Sequence, residues 1–207
     1  MRIVFILVTI CLFVIVAAQA AVAAHFWMDS DAVVARAAHQ GALRVPAGGL
    51  HFNSVERTIA INEFAETWGQ HAFPCRTLAR AWSEIVTPDA SVAPIPVSQA
   101  LAAKILPAQR DSVRGQVRRL LVACQLERRL DDVQMLRVWL ASAPFGQQAI
   151  GVENAAHTVF GKPANALDGE ESAKLTVLLH APGLRNWPDL WAARAKAVSD
   201  RVAARSR

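Results

Sequence analysis

The residue types that could carry out chemistry are spread along this 207-residue chain and do not form a familiar catalytic motif. The sequence lacks a phosphate-binding loop, a nucleophile elbow, a His-Glu-x-x-His zinc motif and a dinucleotide fingerprint. Its six histidines do not have the spacing of metal ligands, and its three cysteines lie far apart. We therefore predict no metal, no cofactor and no cysteine chemistry.

The excess of basic residues is a more informative pattern. The formal charge of +5 comes almost wholly from arginine, which favours an anionic partner such as a phosphate or an acidic lipid headgroup. A solvated basic surface would explain the charge equally well. From Ser112 to Leu130, apolar residues recur with helical spacing and arginines occupy the other faces. This segment is predicted to be an amphipathic basic helix.

The N-terminus is apolar and uncharged from Ile3 to Ala24. As a helix, this stretch is long enough to cross a hydrocarbon core of about 30 Å, which predicts a single membrane anchor. Arg2 before it, with Asp29 and Asp31 beyond it, favours an exported domain. The alternative is a cleaved signal peptide that ends at the small residues 18–20. Both interpretations place the following domain outside the cytoplasm.

Apolar residues at helical spacing, separated by Pro and Gly, fill the rest of the chain. They predict helices over 133–140 and 149–160, and Asp168 followed by Glu171 is a capping box for a further helix. Pro188 opens the last helix. Strand signals are weak, so the sequence predicts a mainly α-helical domain with at most a small sheet.

A series of short motifs follows in a fixed order through the second half of the chain. The series consists of Gln125-Leu126-Glu127-Arg128-Arg129, then Leu136, Trp139 and Leu140, Phe145-Gly146, Gly151-Val152-Glu153, Ala155-Ala156 and Phe160-Gly161-Lys162, followed by Leu167, Glu171, Ala173, Leu175 and Pro182. In this order the motifs resemble those of glycosyltransferase family 51, the peptidoglycan glycosyltransferases. The resemblance covers roughly residues 95–198 and continues faintly over 55–82.

The resemblance implies a lysozyme-like helical fold that is anchored by one N-terminal helix. The activity that it implies is polymerisation of the membrane-bound precursor lipid II into glycan strands. In that family one glutamate deprotonates the acceptor sugar hydroxyl while cations stabilise the leaving pyrophosphate-lipid. This chain departs from the family where that chemistry should lie. Asn62, which follows Ala60 and Ile61, aligns with the base glutamate, and only a one-residue shift would bring Glu63 to that position.

The second and third motifs of the resemblance are also altered. Pro94 and Pro96 stiffen the second motif where the family has flexible glycines, and Ser98 and Gln99 remain of its polar half. Arg119 aligns with the carboxylate of the third motif. Because arginine stays protonated at physiological pH, it can bind a phosphate but cannot act as a base.

The fourth motif keeps its packing residues and loses its polar ones. Arg137, Trp139 and Ala141 stand where the family has glutamate, tyrosine and asparagine. The sequence thus keeps the scaffold of the family without its catalytic groups, and whether the chain is an enzyme is left open.

The first of three hypotheses is an envelope-anchored protein of this family that binds lipid II or a glycan strand, with lost or impaired catalysis. Its predicted substrate-binding residues are Ser98, Gln99, Arg118, Arg119 and Lys162. No nucleic acid is predicted as a partner, whereas other cell-wall synthesis proteins are.

The second hypothesis is an active peptidoglycan glycosyltransferase that polymerises lipid II with Glu63 as its base, the one candidate catalytic residue. The third is a membrane-anchored interaction scaffold whose basic helix meets acidic lipids or another protein. The first two hypotheses separate on whether Glu63 is needed for glycan synthesis.

The predicted domain organisation has three parts. Residues 1–24 form a membrane anchor or signal segment, 25–54 a linker, and 55–207 the glycosyltransferase-like domain. The predicted location is the bacterial inner membrane, with a single pass and the domain on the periplasmic or extracellular side. Cleavage near Ala20 would instead release the domain into the periplasm.

Overall fold

The fold is built from helices. The computed structural model describes residues 2–46, 51–65, 96–106, 112–146 and 149–206. The helices are α1 (Arg2–His39), α2 (Ser54–Phe64), α3 (Val97–Ile105), α4 (Val113–Arg129), α5 (Asp132–Ala141), α6 (Val152–Phe160), α7 (Gly169–Leu178) and α8 (Pro188–Arg205), with 3-10 turns at Ala164–Ala166 and Pro182–Asn186. Within these ranges, β structure is limited to one antiparallel bridge between Pro144 and Ile150. The predicted mainly α fold class is confirmed.

Polar residues fix where several of these helices begin. The predicted capping box of α7 is present, since Asp168 accepts from the Glu171 backbone and Glu171 accepts from the Asp168 backbone. These contacts satisfy amide groups that have no partner inside the helix. Equivalent boxes open α2 and α5, at Asn53 with Glu56 and at Asp131 with Gln134.

The main core lies where α2, α3, α4, α5 and α7 meet. Each of these helices buries at least one large aliphatic side chain almost completely: Ile59, Leu101, Leu126, Leu136 and Leu175. Burial of such a side chain stabilises the fold by about 1.5–3 kcal/mol. A smaller apolar cluster around Ala173, Val177 and Val198 joins α7 to α8.

Helix α1 continues without a break from Arg2 to His39, through the predicted anchor and into the predicted linker. Its C-terminal third packs on the core through Val33 and Val34, and Ala37 is also buried. Phe13, by contrast, is 74% exposed. Among the described residues, no helix has both the length and the mean hydropathy of a membrane span.

Gly151 fixes the turn between α5 and α6. Its φ of +86° is a backbone conformation that residues with a side chain rarely adopt. A Cβ at this position would lie 2.6 Å from the Ala141 carbonyl oxygen, so the close approach of the two segments needs a glycine.

Cys124, on α4, is fully buried and disulfide-bonded. The prediction of no cysteine chemistry is therefore wrong, because Cys124 forms a disulfide bond. It rested on spacing along the chain, which does not report distance in the folded protein.

Candidate functional site

The end of α2 carries the residues that align with the first family motif, and polar contacts join it to two other parts of the fold. Arg201 Nε, on α8, donates to Asn62 Oδ1 at 3.0 Å, and Asn62 Nδ2 donates to Glu63 Oε1 at 2.6 Å. Glu63 Oε2 lies 2.9 Å from Nε2 of His180, which follows α7. We call Asn62, Glu63, His180 and Arg201 the α2 cluster.

The backbone at the same end of α2 is also held by α8. Arg205 Nη1 donates to the Ile61 carbonyl oxygen at 3.0 Å. A cation near the C-terminus of a helix is favourable because the last carbonyl groups have no partner within the helix. Helix α8 therefore fixes the position of the first-motif residues.

The α2 cluster contains one amide and one carboxylate rather than a pair of carboxylates. Asn62 offers a neutral amide, both polar atoms of which are engaged. Glu63 is the carboxylate of the cluster, and its side chain is only 18% exposed, whereas His180 is 70% exposed. A carboxylate beside an imidazole can orient the ring and so place a proton, provided that a substrate reaches the ring.

The surviving residues of the second motif lie on α3. Ser98 is fully buried, and its Oγ donates to Glu127 Oε1 of α4 at 2.7 Å. Gln99 is half-buried at the next position. The carboxylate beside this motif is therefore Glu127, which the sequence had not singled out as a candidate acid.

Lys162 lies beside the capping box of α7. Its Nζ is 2.7 Å from Glu171 Oε1, while Glu171 Oε2 accepts from the Asp168 backbone N–H at 3.1 Å. The hydrogen bond to Glu171 raises the pKa of Lys162. The same bond, helped by the backbone N–H of Asp168, lowers the pKa of Glu171. Glu171 is thus a structural residue, and Lys162 already has an anionic partner.

The two arginines aligned with the third motif have different surroundings. Arg118 Nε lies 3.1 Å from Asp29 Oδ2, so this guanidinium joins α4 to α1. Arg119 is half-buried, and within the described part of the chain no carboxylate pairs with it. Arg118 is thus paired with a carboxylate of α1, whereas Lys162 is paired with one of α7. The role of these residues in binding a substrate stays a prediction.

A buried ion pair between α2 and α5 was missed by the sequence reasoning. Arg137 Nε and Nη2 donate to the two oxygens of Glu56 at 2.7 and 3.1 Å, and Nη2 also donates to the His51 carbonyl at 3.1 Å. The two side chains are 10% and 9% exposed. The hydrogen bond to Glu56 raises the pKa of Arg137 against the effect of burial. No local signal could have found this pair, because 81 residues separate the partners.

This ion pair lines a cavity of about 590 Å³ between α2, α5 and α6. Ala141 and the Gly151-Val152-Glu153 motif form other parts of its wall. The cavity is thus bounded by Arg137 and Ala141, two of the positions that the sequence resemblance assigns to the fourth motif. The predicted substrate-binding residues lie outside its wall.

A family model described as Transglycosylase matches residues 54–204. Penicillin-binding protein 1C of Escherichia coli is 36% identical over 100 residues, which are 48% of this chain and 13% of that protein. A biosynthetic peptidoglycan transglycosylase of Burkholderia multivorans is 26% identical over 158 residues, which are 76% of this chain and 63% of that protein. The matched stretch thus spans only part of each relative.

Proposed function

Because this chain belongs to the transglycosylase family, we propose that it is an envelope protein that binds lipid II or a glycan strand with lost or impaired catalysis. Membership of the family was predicted from the ordered motifs, and it makes a peptidoglycan precursor or product the natural ligand class. The loss of catalysis is argued from the residues at the motif positions.

The state of Asn62 is the observation that carries the proposal. At the position aligned with the base glutamate, an amide accepts from Arg201 and donates to Glu63. An amide has no basic site at neutral pH, and loss of a general base typically lowers a rate by a factor of about 100 to 10,000. Arg119 adds a cation where the third motif has a carboxylate.

Glycan-strand formation from labelled lipid II tests this proposal on the full chain in detergent. We expect wild type to polymerise far more slowly than an active family member, and Glu63→Gln to change nothing further. Glu170→Gln, at an exposed carboxylate on α7, is the matched control. Rapid polymerisation by wild type would refute the loss of catalysis.

Binding of the precursor is the second half of the proposal. Charge-assisted contacts from Arg118, Arg119 and Lys162 to the pyrophosphate would be weakened by salt. Arg118 and Lys162 would have to exchange Asp29 and Glu171 for the ligand. We expect lipid II to bind the full chain at low ionic strength and to bind the triple alanine variant more weakly. Equal binding by the two proteins would contradict this assignment.

An active enzyme that uses Glu63 is the alternative, and the 2.9 Å contact of Glu63 with the exposed His180 favours it. In that case polymerisation by wild type would vanish in Glu63→Gln. Activity that survives this substitution but is lost in Glu127→Gln would instead identify the carboxylate beside Ser98 as the base.

Export of the domain is also part of the proposal, with the bacterial inner membrane as its location and α1 as the attachment. The uncharged run from Ile3 to Ala24 supports attachment, and the disulfide at Cys124 favours an oxidising compartment. N-terminal sequencing of the exported protein separates a retained anchor from cleavage near Ala20.

A further inference from the structure

The crossing of α1 and α4 is rich in arginine. Four arginines of α4 meet side chains of α1: Arg114 with Phe26, Arg118 with Asp29, Arg128 with Trp27, and Arg129 with Asp31. These contacts give the relative direction of the two helices.

Along α1 these four arginine contacts extend from residue 26 to residue 31, which is about 7.5 Å of helix axis at 1.5 Å per residue. Along α4 they extend from residue 114 to residue 129, which is about 22 Å. Helix α4 therefore runs across α1 rather than alongside it. If α1 stands along a bilayer normal, α4 lies along the bilayer plane.

One face of α4 is directed toward the apolar end of α1. Arg114 and Arg128 meet the α1 residues nearest to that end, whereas Arg118 and Arg129 meet carboxylates nearer the core. At about 100° per residue, Val117 and Leu121 fall within about 60° of arc together with Arg114 and Arg128. Val117 is 39% exposed and Leu121 half-buried, so this face has an apolar centre between two cations.

The two arginines on this face differ from the neighbouring arginines of α4 in what they contact. Arg118 and Arg129 pair with aspartates, but in the described part of the chain Arg114 and Arg128 have no carboxylate partner. Their guanidinium carbons instead lie 5.7 and 5.5 Å from the centroids of aromatic rings. This arrangement leaves N–H donors for an anion, and guanidinium matches phosphate geometry well.

We propose that the face formed by Arg114, Val117, Leu121 and Arg128 rests on a bilayer surface and binds the phosphates of anionic phospholipid headgroups. Phe26 and Trp27 lie two and three residues beyond the apolar run, at a position where aromatic side chains are enriched at membrane interfaces. An apolar strip flanked by arginines is typical of helices that lie in that interface. The inference relies on attachment through α1, which belongs to the proposed function, but not on the identity of the glycan ligand.

The test first separates attachment from lipid recognition. Flotation of the full chain with vesicles of pure phosphatidylcholine tests attachment through α1. The protein is then extracted from membranes of phosphatidylcholine mixed with phosphatidylglycerol, and the retained lipids are measured by mass spectrometry. We expect phosphatidylglycerol to be preferred at low salt and the preference to fall as salt is raised.

Variants locate the preference on the proposed face. In Arg114→Gln with Arg128→Gln, we expect the ratio of retained phosphatidylglycerol to phosphatidylcholine to fall by about 25-fold, since each arginine near a surface contributes about five-fold. Arg114→Lys with Arg128→Lys should keep most of it. Arg57→Gln with Arg194→Gln, at two exposed sites elsewhere, should leave it unchanged.

Two results would overturn the inference: no preference for phosphatidylglycerol in wild type, or an equal loss in the control pair. Failure to float with phosphatidylcholine alone would refute attachment through α1 while leaving the lipid preference measurable on vesicles that contain phosphatidylglycerol. Circular dichroism of each variant shows that a lost preference does not reflect unfolding.

Discussion

Arg137 is the residue at which loss of a single charge should destabilise the fold most. Arg137→Met removes the partner of the buried Glu56 carboxylate, and an uncompensated buried charge costs about 3–5 kcal/mol. Urea unfolding monitored by circular dichroism measures the change in free energy. Arg194→Met, at an exposed position of α8, is the matched control and should stay within about 0.5 kcal/mol of wild type.

A double-mutant cycle tests the pairing itself. If Glu56→Gln is combined with Arg137→Met, the cost should be well below the sum of the two single changes, because the two substitutions disrupt the same contact. Additive costs would mean that Arg137 is stabilised mainly by something other than Glu56.

Gly151 is a second residue-scale prediction. Gly151→Ala forces a side chain into a left-handed φ and toward the Ala141 carbonyl, so we expect a loss of about 1–3 kcal/mol. Gly169→Ala has open space around its Cβ and should be neutral or slightly stabilising. Thermal midpoints of the two variants compare them directly. Equal midpoints would mean that the turn relaxes easily.

At this scale the sequence predicted what depends on neighbours in the chain. The capping box of Asp168 and Glu171 could be recognised because its partners are three residues apart. The contact of Glu63 with His180 joins residues 117 positions apart, so no periodicity or spacing indicates it. In the sequence, His180 is therefore one scattered histidine among six.

At the element scale, the ion pair between Lys162 and Glu171 connects the end of α6 to the start of α7 and should make stability depend on pH. The pKa of Glu171 is lowered from 4.5, so its contribution is present above pH 4.5 and is lost as pH falls through the lower folded value. The pKa of Lys162 is raised from 10.5, so its contribution is present below pH 10.5 and is lost at higher pH.

Glu171→Gln isolates this charge, because glutamine can still accept from the Asp168 backbone. We expect the variant to be less stable than wild type between pH 5 and 10, and the difference to disappear in acid. Urea midpoints measured across this range provide the comparison. Lys162→Met should reproduce the same pH profile, and a difference that persists at the same size in acid would exclude the ion pair as its source.

Element boundaries were predictable where a polar cap precedes an apolar stripe. The basic helix predicted over 112–130 is observed as Val113–Arg129, and Ser112 caps it by accepting from the Gly115 backbone N–H. The helix predicted over 149–160 begins later, at Val152, because Gly151 breaks the regular backbone. The direction in which helices cross could not be predicted, since it depends on which long-range contacts form.

At the scale of the whole molecule, α1 joins the apolar N-terminus to the helical domain. Its aspartate pairs with α4 have side chains between 30% and 49% exposed, and such pairs typically contribute less than about 1 kcal/mol. Val34 is fully buried in the main core. Hydrophobic burial rather than charge should therefore hold α1 on the domain.

This argument predicts the outcome of two variants that act at the same junction. Val34→Ala should lower the free energy of local opening of α1 by about 2 kcal/mol, because it removes buried apolar volume that the surrounding helices cannot refill. Asp29→Asn with Asp31→Asn should loosen it less, and it should strengthen the preference for anionic lipid because Arg118 and Arg129 lose their neutralising partners. Hydrogen exchange of the α1 amides from residue 26 to residue 39 measures the first effect, and the ratio of retained lipids measures the second. Faster exchange in the aspartate variant than in Val34→Ala would mean that the ion pairs of Asp29 and Asp31, rather than the burial of Val34, hold α1 on the domain. In that case arginines of α4 would bind α1 through charge on one face of the helix and anionic lipid on the proposed membrane-facing face.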